Sequence, residues 1–212
     1  MNKLTTTGLL LLIIFSSFKV YSQVESTKFK EGVYFTLNDL KANKPSIPMS
    51  SVYFEYSKDK EMSFCSKIIE YLDENKQLQS IKSKDVYAIC TNGSIYFRFT
   101  TSGVLNSESC FHKVYHVGTI SLLFVKTNTT VYQTTGVNAF GAPQSSGHKE
   151  VNITEYAVIF DSGKWYNTKS GSSYIIEYIK HDNYFKDTKI KKKDLFVYIS
   201  QYNKRHPIEL PN

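Results

Sequence analysis

Asp161-Ser162-Gly163 follows the apolar run Tyr156–Phe160 and has the Asp-Ser/Thr-Gly form used in paired-aspartate hydrolysis. That chemistry needs two carboxylates close enough to share a proton. The chain carries no second copy, and Lys164 and Trp165 follow where such a loop has small residues. The same residues suit a hairpin turn with Gly163 at positive φ, which is the reading adopted.

His112 and His116 lie near Cys110 in CFHKVYH. On a helix, histidines at i and i+4 share a face and could hold zinc, so both are candidate metal ligands. The stretch reads as a strand, where residues four apart are separated by ~13 Å. One ion cannot span that distance, so the expectation is a half-exposed pair on one sheet face. A Cys/His nucleophile needs a low-pKa thiolate beside a base. The three cysteines and five histidines permit such a pair, but no flanking signature marks one. The chain has no Gly-rich phosphate loop, HExxH or GxSxG, and no cofactor is implied.

Cys65, Cys90 and Cys110 allow one disulfide and one leftover thiol, or three reduced thiols buried as small hydrophobes. Three pairings exist, and spacing does not choose among them. Asn92, Asn128 and Asn152 each begin an Asn-x-Ser/Thr triplet, which arises readily by chance in a chain this rich in Asn, Ser and Thr.

The net charge of +7 is unevenly placed. Residues 23–163 carry 14 basic and 14 acidic side chains, whereas 164–212 carry ten and five. The excess peaks at Lys189, Lys191, Lys192 and Lys193, a candidate contact for an anionic surface such as phospholipid headgroups or glycan. The plainer reading is a solvated helix face. A modest, lysine-dominated patch on an exported chain argues against nucleic acid. Alternating Tyr and Phe could stack on sugars, but core packing and cross-strand pairing explain them more simply.

The elements that must position these residues are mostly strands. In Asp85–Thr100, Val86–Cys90 and Ser94–Phe99 flank Asn92-Gly93, the strongest short hairpin signal. Glu31–Phe35 and Ser51–Tyr56 read as strands. Between them Thr36 and Asp39 have the form of a capping box, opening a short helix that Pro45 and Pro48 stop. Lys67–Leu72 and Gln77–Ile81 form a hairpin. Cys110–Val117 and Thr119–Lys126 are strands around Gly118, and Thr127–Thr130 reads as a turn. Val137–Lys149 reads as a long Gly/Pro/Ser loop. Ile153–Phe160 and Lys164–Tyr166 form a last hairpin. Ile175, Ile176 and Ile179 then mark a helix with Ser172 or Ser173 as N-cap. Leu195, Phe196, Ile199 and Tyr202 mark another, ended by His206-Pro207.

The 212 residues, with 16 Tyr and 14 Phe, suffice for one domain with a substantial core. Lys3, the apolar run Leu9–Phe15 and Val20-Tyr21-Ser22 have the form of a signal peptide over residues 1–22, cut before Gln23. Ser16, Ser17 and Lys19 interrupt the run well short of the ~20 apolar residues a spanning helix needs. No later segment is long and apolar enough to span a bilayer. The expectation is a periplasmic or secreted protein whose residues 23–212 form a single α+β domain. Its antiparallel sheet, curled or in two layers, spans about 31–166, with a short N-terminal helix and two C-terminal helices over about 172–205.

EGVYFTLNDLKANKPS (31–46), DVYAICTNGSIYF (85–97) and DLFVYISQYNKRHP (194–207) together resemble a group of small exported proteins of Bacteroidota-type bacteria, a family of unknown function. The similarity runs in order and spacing over most of the mature chain. Leu40 stands where Phe is commoner, and Val137–Lys149 is longer than the group's pattern. The resemblance implies an exported protein and carries over no catalytic residue. The expected function is a non-enzymatic binding or structural module of the cell envelope, with an envelope protein or glycan as partner. The alternatives are an exported hydrolase with an unmarked site and a factor that associates with anionic surfaces.

Overall fold

The computed structural model describes residues 29–53, 63–99, 109–137, 140 and 143–211. The signal segment 1–22, its cut at Ser22/Gln23, and residues 54–56 of the expected Ser51–Tyr56 strand lie outside them. The fold is α+β and mainly antiparallel. Its strands are β1 (Gly32–Tyr34), β2 (Ile47–Pro48), β3 (Val52–Tyr53), β4 (Ser63–Ser66), β5 (Ile68–Leu72), β6 (Leu78–Lys82), β7 (Ala88–Thr91), β8 (Ser94–Phe99), β9 (Ser109–His116), β10 (Ile120–Val137), β11 (Pro143–Ile159) and β12 (Lys164–Asn167). Helix α1 (Leu37–Lys41) follows β1, and α2 (Ser172–Lys180) and α3 (Leu195–Arg205) close the chain. The large sheet runs β12-β11-β10-β9-β8-β7-β1-β2, with β4 also paired to β9, and a small sheet runs β3-β5-β6.

Local chemistry sets the early elements. Asn92 and Gly93 take φ of 50° and 66°, the turn that matches strand twist, and lock Thr91 opposite Ser94. Thr36 Oγ1 accepts from the Asp39 N–H at 3.1 Å, and Asp39 Oδ2 accepts from the Thr36 N–H at 2.9 Å. This capping box starts α1 although the helix is barely one turn long.

The large sheet curls. Trp165 on β12 reaches Phe97 and Phe99 on β8, at centroid distances of 6.1 and 5.2 Å, although three strands lie between them in the ladder. Lys41 Nζ donates to the Asp161 carbonyl at 2.6 Å and ties α1 to the β11–β12 turn. The inside of the curl is filled by Tyr34, Leu40, Phe97, Val114, Leu123, Val125, Val158 and Phe160, and Ile208 and Leu210 pack against them. The other face is covered twice. Helices α2 and α3 bury Ile175, Ile179, Leu195, Ile199 and Tyr202 against Ile120, Leu122 and Ala157. The small sheet brings Ile69 together with Val33, Ile89, Tyr96, Phe111 and Phe64.

The sheet branches at β9. One edge of β9 pairs with β8. The other is shared: β10 pairs at His116 and Val114, and β4 pairs from His112 to Ser109. Because β4 occupies that edge, β10 leaves the sheet after Leu123. It continues with β11 as a two-stranded ribbon from Phe124↔Glu155 to Val137↔Pro143. β12 covers β11 only over Tyr156–Ile159. At ~3.3 Å per residue the ribbon is ~45 Å long.

Four expectations change. Thr127–Thr130 is not a turn, and 143–149 is not loop: both lie in the ribbon, paired to each other's strands. β-Branched Thr and Val favour the pleated backbone once a partner strand is present. The N-cap of α2 is Gly171, with no side-chain cap, while Ser172 Oγ donates to the Lys169 carbonyl at 3.1 Å. The Lys189–Lys193 run is not a helix face, because it precedes α3 as extended chain and one 3-10 turn.

Candidate functional site

Asp161-Ser162-Gly163 is the β11–β12 turn. Gly163 takes φ of 66°, and its N–H donates to the Ile159 carbonyl at 2.8 Å. Asp161 Oδ2 accepts from the Tyr178 hydroxyl at 2.9 Å, so the carboxylate fastens α2 to the turn.

The two candidate histidines part company. His116 is half-buried at α3, where its Nε2 lies 3.1 Å from Asn203 Nδ2 and its ring 5.5 Å from Phe196. The Asn203 amide nitrogen can only donate, so Nε2 is the acceptor, and burial lowers the ring's pKa. His112 is 2% exposed, against the expected half-exposed pair. It stands opposite Phe97 on a strand covered on both faces. Its Nδ1 has no hydrogen-bond partner among the described residues. Burial pushes its pKa down to about 4. Among the described residues no three His, Cys, Asp or Glu side chains gather as a metal set.

His112 makes stability acid-sensitive. The unfolded chain takes the proton near pH 6.5 and the folded chain only near 4. Stability is therefore whole above pH 6.5 and falls as pH drops toward 4, by about 2–3 kcal/mol at pH 4.5. Urea unfolding at pH 7 and 4.5 shows this loss in the wild type and a correspondingly smaller one in His112→Phe.

Cys65 and Cys110 form a disulfide between directly opposed residues of β4 and β9, with Cα atoms 4.1 Å apart. Cys90 is the buried free thiol. Burial and the nearby Glu31 charge push its pKa up to about 11, leaving a poor nucleophile. Asn92 and Asn152 are exposed, on the β7–β8 turn and the ribbon, and Asn128 lies in β10.

The candidate site is an open cleft of about 410 Å³ where α3 stops covering the sheet and the ribbon begins. Leu122 and Phe124 of β10 form one wall with Ile153 and Glu155 of β11. Leu195, Phe196 and Ile199 from the first turns of α3 form the other. Thr168 and Lys169 come from the loop after β12, and Lys192 and Lys193 from the turn before α3. Two of the four patch lysines thus face the cleft, while Lys189 and Lys191 are exposed outside it. Ile153 is 64% and Phe196 36% exposed, so the apolar lining is open to water. Glu155 Oε1 accepts from the Tyr115 hydroxyl, and Tyr115 stacks on Phe124 at 4.7 Å. The Thr168 hydroxyl donates to the Glu155 carbonyl at 3.2 Å. The polar groups of this wall are engaged by the frame, and Lys169, Lys192 and Lys193 line the opening as exposed side chains.

The helices holding the cleft are pinned in two places. Asp182 Oδ2 lies 2.9 Å from both Arg205 Nε and His206 Nε2, and its pKa is held below the usual carboxylate range chiefly by Arg205. Asn203 on α3 accepts from the Ile120 N–H and donates to the Ile120 carbonyl, both at 2.8 Å. Sequence reasoning found Lys192, Lys193 and the α3 stripe, but missed Phe124, Ile153 and Lys169 as partners. The only local signal was an apolar stripe directly after a lysine run.

No family model, curated protein or solved structure matches this chain.

Proposed function

We propose that the chain is an exported, non-enzymatic binding module of the cell envelope and that the cleft beneath α3 is its ligand site. The cleft carries this reading: exposed apolar side chains and cations converge there on elements fixed by Asn203 and Asp182. Exposed apolar surface rimmed by polar groups marks binding sites. Export is supported by the form of residues 1–22 and by the Cys65–Cys110 bridge, since disulfides persist in oxidising compartments. The resemblance to exported Bacteroidota-type proteins points the same way. No helix among the described residues is long and apolar enough to cross a membrane.

The test is the mass of the protein taken from fractionated host cells. The denatured chain from the envelope fraction should begin at Gln23 and be ~2 Da lighter than its fully reduced form. Under native conditions it should carry extra mass that Phe196→Glu abolishes. Equal native masses for wild type and variant, both those of the bare chain, overturn the ligand-site reading. A full-length chain retained in the cytoplasm overturns export.

A further inference from the structure

We infer that the cleft binds one amphipathic anion at a time: a single carboxylate or phosphate headgroup on an apolar tail. This rests on the cleft being the ligand site and names its ligand class. The walls offer Leu122, Phe124, Ile153, Leu195, Phe196 and Ile199, an apolar surface without a directional requirement. Such a surface suits a tail. The volume of about 410 Å³ lies in the range of small-molecule sites, ~300–1,000 Å³.

The rim fixes the sign of the head. Lys169, Lys192 and Lys193 stand around the cleft against one carboxylate, Glu155, whose Oε1 is already bonded to Tyr115. Among the described residues no salt bridge engages these three lysines. Two loops distant in sequence, 168–169 and 192–193, place like charges around one opening. An anion entering relieves that repulsion while its tail covers Ile153 and Phe196. A neutral tail gains only the second effect, and a cationic head worsens the first.

The experiment is calorimetric titration of the mature chain with decanoate, octanoate, decanol and decylamine below their aggregation limits. Decanoate binds with one molecule per chain. Octanoate, two methylenes shorter, binds ~15-fold more weakly, from ~4-fold per methylene. Decanol and decylamine bind at least about tenfold more weakly than decanoate, and ~0.5 M salt narrows that gap because the lysines are exposed. Replacing Lys169, Lys192 and Lys193 together by Gln removes the preference for decanoate over decanol. Replacing Lys189 and Lys191 by Gln leaves decanoate affinity unchanged.

Decanol binding as tightly as decanoate overturns the headgroup assignment and leaves the cleft as a ligand site. No binding of any probe overturns the inference, while the cleft itself is judged by the native mass. Phosphatidylglycerol vesicles form a separate arm: binding to vesicles without binding of free decanoate overturns the single-molecule reading in favour of a membrane surface.

Discussion

Asn203→Ala lowers unfolding stability by about 4 kcal/mol, although it removes only a small amide. The Asn203 side chain satisfies both backbone groups of Ile120, each at 2.8 Å, as a neighbouring strand would. Ile120 is fully buried. Without the amide its N–H and C=O are left unpaired away from water, at about 1–3 kcal/mol each. The amide fits because residue 118 is glycine: a Cβ there would lie 2.2 Å from Asn203 Nδ2. Gly118→Ala therefore destabilises on its own but costs less once Asn203 is alanine. Denaturant unfolding of both singles and the double variant measures this, with a coupling of at least about 1 kcal/mol expected. Additive effects would show that Asn203 does not seat in the Gly118 notch.

Removing the Cys65–Cys110 bridge, by Ala at both positions, lowers stability by about 4 kcal/mol. The bridge closes a separation of 45 residues, and the chain-entropy relation for that length gives this figure. The loss has a structural address. β4 is held to β9 by four residue pairs and this bond, on the edge that β10 abandons. Amide exchange should therefore rise first at Ser63–Ser66, while β7 and β8 stay protected by their own turn. A stability loss under about 1 kcal/mol, or uniform deprotection, would contradict this.

What the sequence disclosed was what neighbouring residues decide. The Asn92-Gly93 turn and the Thr36–Asp39 capping box follow from side chains within four positions of one another. The two C-terminal helices followed from apolar spacing, though Phe196 faces the cleft rather than the core. The sharing of the β9 edge was not legible, because it depends on β4 and β10 meeting a strand many residues away. Thr127–Thr130 misled for a related reason: Asn and Thr suit a turn locally, and only the partner strand at 149–152 makes them extended. His112 misled because period-2 alternation reveals a face only where one side of the sheet meets water. On β9 both Phe111 and His112 are buried. The cleft was legible in fragments alone. Its walls come from residues 122–124, 153–155, 168–169 and 192–199, which no local pattern joins.

The central claim is that a small ligand occupies the cleft in the cell. The direct measurement is in-cell photo-crosslinking with benzoylphenylalanine in place of Phe196, and at Tyr53 as a control. Tyr53 is 59% exposed on the small sheet, away from the cleft walls. Crosslinking at 196 that adds a discrete small-molecule mass, absent at 53, is the predicted result. Equal labelling at both positions, or only large protein adducts at 196, would contradict it.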